Sequence, residues 1–397
     1  MTTDALFAQK ISRIRQAGLY RQMKVCHSPQ GARVKAGNRE VLMLSSNSYL
    51  GLCTDTRLKE AARKAVEMYG TGAGGSRLIS GTSPIHRELE AQVAFFKGAG
   101  AALIFSSGYM ANAGVISSVA DKNWVIYSDR LNHASIIDGC RLSGARTVVY
   151  EHGDVNDLEN KIRRYPSKQG LIVTDALFSV DGDLAPLPAL VATARRHGLL
   201  LMVDEAHATG VLGKNGGGAA ELFGIKDGID ISTGTFSKAL ASEGGFVAGS
   251  AALIDYLVNT ARSFIFSTAM PPAGAAVSLA ALDIVRTEPQ RRSTLMEHAA
   301  WLRDSLGRAG FDVANHPTQI ISLILGEPRT ATTFSDRLME RGIFVTAIRP
   351  PTVPAGTSRL RISLMATHTR GDLEYAVSEI TAVGRELGVI GRDKVST

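Results

Sequence analysis

Cysteine is scarce: there are three in 397 residues, Cys26, Cys53 and Cys140. Scattered and odd in number, they form neither a disulfide framework nor a metal-ligand spacing, and read as buried free thiols. No apolar run approaches the roughly eighteen residues that a membrane span needs. The first 24 residues carry charge throughout and lack the apolar stretch of a secretory leader, so a cytoplasmic protein is expected. Basic blocks are missing too. The net charge is +7, but lysine and arginine are dispersed, with no run of about five or six that would mark a nucleic-acid stripe. An anionic small substrate or an acidic carrier protein suits such a charge equally well. There are no internal repeats. Asp204-Glu-Ala-His207 spells a helicase box, but the phosphate-binding Gly-x4-Gly-Lys-Ser/Thr motif is absent, and so is the His-Glu-x-x-His of zinc proteases.

What is present is ample core material, 45% hydrophobic residues, and 40 glycines for tight turns and close approaches. The spacing predicts helices over 4–24, 55–69 and 84–96, a short strand over 41–45, and a glycine-rich loop over 70–77. From residue 101 the pattern becomes regular. Apolar runs at 101–105, 125–127, 147–150, 171–174, 199–203 and 229–232 are separated in several places by helical segments, at 108–119, 135–143, 156–164 and 187–197. This alternation predicts an α/β domain with a largely parallel sheet covered on both faces. Beyond about residue 275, helices at 273–286, 290–309, 331–341 and 370–387 flank strands near 319–325, 343–347 and 359–364. We therefore expect an N-terminal helix and arm (1–45), a large α/β domain (46–275) and a smaller α+β domain (276–397).

Ligands of such sheets bind beyond the carboxyl ends of the strands. There the sequence places Ser107, Gly108 and Tyr109 opening a helix, then His133, then Asp175 and Ser179, then Asp204 and His207, and finally Thr235 and Lys238. Lys238 follows an apolar run in a setting of small residues. Burial would lower its pKa, and a neutral amine can form a Schiff base. A helix N-terminus at Gly108 and Tyr109 favours a phosphate. A carboxylate at Asp204 can hold the pyridine nitrogen of pyridoxal phosphate protonated. Taken singly, each group also fits an ordinary role: Asp204 an N-cap or ion pair, His207 a core histidine, His133 an N-cap, Ser179 a turn serine. Alternation over 359–363 puts Arg359 and Arg361 on one strand face, where one of them could take a substrate carboxylate.

The assembled motifs resemble those of the α-oxoamine synthases, fold-type-I enzymes dependent on pyridoxal phosphate. The resemblance runs from about Ser46 to Thr369. It is carried by Ser45-Ser-Asn-Ser-Tyr-Leu-Gly-Leu52, Gly74-Gly-Ser-Arg-Leu-Ile-Ser-Gly81, His86-Arg-Glu-Leu-Glu90, Ser107-Gly-Tyr109, Phe178-Ser-Val-Asp-Gly-Asp183, Asp204-Glu-Ala-His207 and Thr235-Phe-Ser-Lys238. Ala347-Ile-Arg-Pro-Pro-Thr-Val-Pro354 and Arg359-Leu-Arg361 point to the branch that condenses L-alanine with a pimeloyl thioester, on CoA or a carrier protein, in biotin synthesis.

The resemblance implies roles. Lys238 would carry the cofactor and move the substrate proton, and Asp204 would face its ring nitrogen. His133 would stack on one ring face with Ala206 against the other, and Ser179 and His207 would contact the ring oxygen. Gly108, Tyr109 and Thr235 would hold the phosphate, with Ser267 and Thr268 reaching the phosphate of a partner subunit in a homodimer. Asn47 and Arg361 would bind the substrate carboxylate; Arg21 and Thr352 would lie near the acyl substrate. His133 or His207 would donate to a developing oxyanion. Asp175 stands where many relatives have glutamate, and Met365 where small polar residues are frequent. The alternatives are another α-oxoamine synthase, using glycine or serine with a different acyl-CoA, or a non-catalytic partner subunit, which would lack the lysine. No metal is expected.

Overall fold

The computed structural model describes residues 2–16, 19–21 and 23–391. Helix α1 (Thr3–Gln16) is followed by β1 (Arg33–Ala36) and β2 (Arg39–Met43), then α2 (Thr56–Tyr69) and α3 (Pro84–Lys97). The large sheet is built from β3 (Ala101–Phe105), β4 (Val125–Asp129), β5 (Arg146–Tyr150), β6 (Gly170–Asp175), β7 (Leu200–Asp204), β8 (Ile231–Thr235) and β9 (Gly245–Gly249). Its order is β3-β9-β8-β7-β6-β4-β5, and every pairing is parallel except those of β9 with β3 and β8. A smaller antiparallel sheet joins β10 (Ile320–Gly326), β12 (Thr346–Ile348) and β13 (Ser358–Ser363). The intervening β11 (Ile343–Phe344) instead runs parallel to β2, so the N-terminal hairpin is tied to the C-terminal part of the chain.

The strands form where they do because both sheet faces are buried. Leu103, Ile126, Leu171, Val173 and Met202 enter one core cluster, whereas Ile104, Tyr127, Ile172, Leu201 and Val203 enter the other. Successive residues thus feed opposite layers, which is why each run reads as continuously apolar. Each such side chain contributes about 1.5–3 kcal/mol of transfer free energy. Helix starts follow local chemistry. The Asp55 carboxylate accepts from the Arg57 amide at the head of α2, and Ser107 accepts from Met110 at the head of α4 (Gly108–Val119).

Several sequence expectations change. The first helix ends at Gln16, not residue 24; Leu19 N–H closes on the Ile14 carbonyl, and Leu19 to Arg21 are not helical. Residues 17, 18 and 22 lie outside the described residues. The helix buries none of its apolar side chains in this chain, and Phe7 and Ile11 are exposed. The early strand covers 39–43, and its partner β1 went unread because Arg-Val-Lys-Ala offers a single inward apolar residue, Val34. The sheet gains one strand beyond the runs that spacing picks out, the antiparallel β9. Among the described residues, no helix is long and apolar enough to cross a membrane.

One charged cluster fastens the loops beside the sheet edge. His152 bridges Asp129 through Nδ1 and Asp183 through Nε2, each at 2.9 Å, with its ring edge-on to Phe178 at 4.4 Å. Desolvation opposes the charge, but the two carboxylates outweigh it and push the imidazole up to about 10. A raised pKa contributes stability fully below the unfolded value of 6.5 and loses it as pH rises through about 10. The urea midpoint of the wild type should therefore exceed that of His152→Gln at pH 6.5, and the difference should vanish near pH 10.

Candidate active site

The carboxyl ends of β6, β7 and β8 lie side by side, with Asp175 opposite Asp204 and Asp204 opposite Thr233 in register. The apolar core stops there, so polar residues emerge at one edge. Lys238 follows β8 and is half-buried. Burial pushes its ammonium down to about 8; Asp204 and Asp175 pull it back, and Arg361 lowers it further.

Asp204 is buried and doubly fixed. Its Oδ2 accepts from Asn112 Nδ2 at 2.6 Å and its Oδ1 from the Ala206 amide at 2.8 Å. Asn112, in the middle of α4, also donates to Ser135 Oγ and accepts from Thr233 Oγ1, and Ser135 Oγ reaches His133 Nδ1 at 2.7 Å. His133 caps α5 (Ala134–Ser143), and its amide donates to Asp175 Oδ2 at 2.7 Å. Asp175 is pushed well above the usual carboxyl range by burial and then by Asp204, with the His133 amide pulling the other way.

The phosphate end expected near Gly108 is closely packed. A Cβ at Gly108 would lie 3.2 Å from Thr235 Cβ and 3.5 Å from its Oγ1. Thr235 Oγ1 donates to the Gly244 carbonyl at 2.6 Å and accepts from the Ser237 amide at 3.2 Å. Tyr109 follows Gly108 at the helix start; its half-exposed ring sends the hydroxyl to Asp138. A Cβ at Gly245 would come within 2.6 Å of the Gly108 backbone. Gly245→Ala should displace the start of α4 and destabilise the chain by about 1–3 kcal/mol, a loss that urea unfolding would register.

On the other side, the small sheet grips the hairpin 178–183. Arg359 pairs with Asp181, Thr318 and Ser322 donate to the carbonyls of Gly182 and Val180, and Arg361 Nε donates to the Ser179 carbonyl. Arg361 also reaches Asn47 Oδ1 at 3.0 Å and Ser363 Oγ at 2.7 Å. The paired arginines thus divide: Arg359 locks the hairpin, and Arg361 joins Asn47 at the site. His207 is buried, its carbonyl held by Gln319 and its Nδ1 2.6 Å from Tyr49 Oη. Burial holds it well below the usual imidazole range, helped by Lys238, Arg361 and His133.

Some expected residues stand apart. Arg21 and Thr352 share a cleft of about 910 Å³ between the N-terminal segment and the small sheet, but Lys238 does not line it. Thr268 is exposed, with its carbonyl accepting from Ser106 Oγ, and Ser267 Oγ donates toward Met110 Sδ on α4 and to the Thr268 carbonyl. Glu205, inside the Asp-Glu-Ala-His run, faces away and is paired with buried Lys97. Met365 is buried among Val34, Val41 and Met43, remote in character from any polar role. Sequence reasoning missed Tyr49, Asn112 and Gln319. Tyr49 lies inside a quoted motif, two residues past Asn47, and that is the one available signal.

A doubly wound, mostly parallel sheet presenting a desolvated lysine, a clamped carboxylate and a helix-start cradle at one edge defines a fold-type-I transferase of the pyridoxal phosphate class. Residues 39–380 match the family model of aminotransferase class I and II. The 8-amino-7-oxononanoate synthase of Geobacter sulfurreducens is 52% identical over 386 residues, covering 96% of this chain and 99% of that protein. That of Lysinibacillus sphaericus is 49% identical, covering 97% and 99%. The chain belongs to the aminotransferase class I and II family and, within it, to the α-oxoamine synthases. Among solved structures, the serine palmitoyltransferase of Sphingomonas wittichii superposes with a TM-score of 0.92 at 31% identity, covering 98% of both chains. An 8-amino-7-oxononanoate synthase from Francisella tularensis gives 0.76 at 30% identity, covering 86% of this chain and 97% of that one.

Proposed function

We propose that this chain is an enzyme that condenses L-alanine with a pimeloyl thioester, on CoA or a carrier protein, to give 8-amino-7-oxononanoate, CO2 and free thiol. The observation that carries the reading is identity near 50%, over nearly the whole length of both chains, to relatives named for that product. Pyridoxal phosphate fits the edge: a lysine held near pKa 8, a buried carboxylate and a helix N-terminus at Gly108 beside the Thr235 hydroxyl are what it needs from a protein.

Bound there, the cofactor supplies an electron sink for negative charge at the amino acid α-carbon. Lys238 would carry it and, as the neutral amine that burial favours, would take the substrate α-proton. Asp204, fixed by Asn112 and the Ala206 amide, would keep a proton on the ring nitrogen. His133, Ala206, Ser179 and His207 would hold the ring. Gly108, Tyr109 and Thr235 would hold the phosphate, while Arg361 and Asn47 would orient the substrate carboxylate. His133 or His207 donates to the oxyanion that develops when the α-carbon attacks the thioester. The thiol leaves, carbon dioxide is lost from the β-keto acid, and Lys238 returns a proton. Arg21 and Thr352 contact the acyl chain or its carrier in the neighbouring cleft.

The working form is a homodimer in which Ser267 and Thr268 complete the partner's phosphate site. In support, Ile79 is 84% and Phe266 71% exposed, and the segments that carry them are joined by the Ser76–Thr268 bridge. Sedimentation should give twice the 42.2 kDa chain mass.

The test of the reaction supplies pyridoxal phosphate, pimeloyl-CoA and each of L-alanine, glycine and L-serine, with products identified by mass spectrometry. 8-Amino-7-oxononanoate from alanine alone is expected. A parallel incubation replaces pimeloyl-CoA with palmitoyl-CoA, and a product from L-serine there would favour a serine palmitoyltransferase reading, as in the Sphingomonas wittichii neighbour.

A further inference from the structure

We propose that Tyr49 is a positioning residue that fixes the tautomer of His207, leaving His207 Nε2 protonated as a permanent hydrogen-bond donor to the site. Tyr49 is fully buried, and its Oη sits 2.6 Å from His207 Nδ1, 3.2 Å from Asn47 Oδ1 and 3.4 Å from Arg361 Nη2. A phenol has one proton to give, and two acceptors compete for it. The contact to Nδ1 is much the shorter. An imidazole nitrogen is also the stronger base of any pair it makes with a phenolic oxygen, and a phenol the stronger acid compared with a neutral imidazole N–H. The proton therefore points from Tyr49 to His207 Nδ1.

Asn47 Oδ1 does not need it, because Arg361 already donates there at 3.0 Å. Arg361 Nη2, 3.4 Å from Tyr49 Oη, can only donate, so the phenolic oxygen accepts from the guanidinium and keeps its proton for the ring. In a neutral imidazole, an accepting Nδ1 requires a protonated Nε2. Nε2 has no hydrogen-bond partner among the described residues, so this N–H is free for a ligand oxygen. His207 is then a donor and not a proton acceptor. Through Tyr49 its orientation is tied to Asn47 and Arg361, the pair assigned above to the substrate carboxylate. The effect on turnover rests on the proposed function; the tautomer does not.

The experiment uses the full chain without cofactor, labelled with 15N-histidine, and long-range proton–nitrogen correlation. The His207 signals are identified by their loss in His207→Asn. The expected wild-type pattern is an unprotonated Nδ1 and a protonated Nε2, with Tyr49→Phe converting it to a mixture of tautomers. A protonated Nδ1 in the wild type would overturn the proposal even if Tyr49→Phe failed to fold, and so would an unchanged pattern in a folded Tyr49→Phe. In the loaded enzyme, Tyr49→Phe should lower kcat for alanine by about 10–100-fold, by analogy with the loss of the partner that orients a metal-bound imidazole. An inactive wild type would refute the proposed reaction and leave the tautomer result standing.

Discussion

Lys238→Ala should reduce turnover by about 10⁴-fold or more, the upper end of what one positioned proton-transfer group supplies, because this lysine is assigned both cofactor attachment and proton transfer. The fold should survive. Lys238 is half-buried at the mouth of the sheet, and its ammonium is already disfavoured, with a pKa pushed down to about 8. Removing it relieves a desolvated charge and leaves only a small space at the edge of the core. Circular dichroism and the urea midpoint should match the wild type while product formation falls to background. An active Lys238→Ala would remove the basis of the assignment.

Asp204→Asn should cost about 10²–10³-fold in kcat. The carboxylate receives two hydrogen bonds, from Asn112 Nδ2 at 2.6 Å and from the Ala206 amide at 2.8 Å. An amide of the same shape must turn its NH2 toward one of these donors, and it has no charge with which to hold a proton on a ring nitrogen. Breaking a buried charge pairing of this kind is worth roughly 3–5 kcal/mol, most of it expressed in the reacting state and so in kcat. Steady-state rates with alanine and pimeloyl-CoA would show it. The change also removes the charge that helps to raise Asp175 and to support the Lys238 ammonium. Full activity in Asp204→Asn would show that the ring nitrogen has another partner.

Much of this edge was legible because each buried strand ends where its apolar run ends. Asp175 and Asp204 close β6 and β7, and His133 and Lys238 follow β4 and β8, so position along the chain fixed position at the edge. The helices around the sheet were legible for a similar reason: Asp55, Ser107 and Thr369 cap helices within a residue or two of the boundaries that spacing predicts. Tertiary contacts were not legible. Asn112 sits mid-helix and acts only because α4 packs over β8 and β9, and Gln319 reaches His207 across 112 residues of chain. His152 carried no signal in the sequence, because its two carboxylates come from separate places, Asp129 at the end of β4 and Asp183 in the hairpin 178–183. The direction of β9 was hidden too, since an apolar run does not say which way its neighbours run. Asn47 and Arg361, far apart in sequence, were paired by resemblance; the 3.0 Å hydrogen bond between them is a fact of folding alone.

The most direct test of the account is to locate the cofactor. The protein is loaded with pyridoxal phosphate, reduced with borohydride so that the cofactor stays on the lysine that carries it, digested, and analysed by mass spectrometry. The account predicts a single modified peptide, the one containing Thr235-Phe-Ser-Lys238. Stoichiometric modification of a different lysine, or none at all, would contradict it.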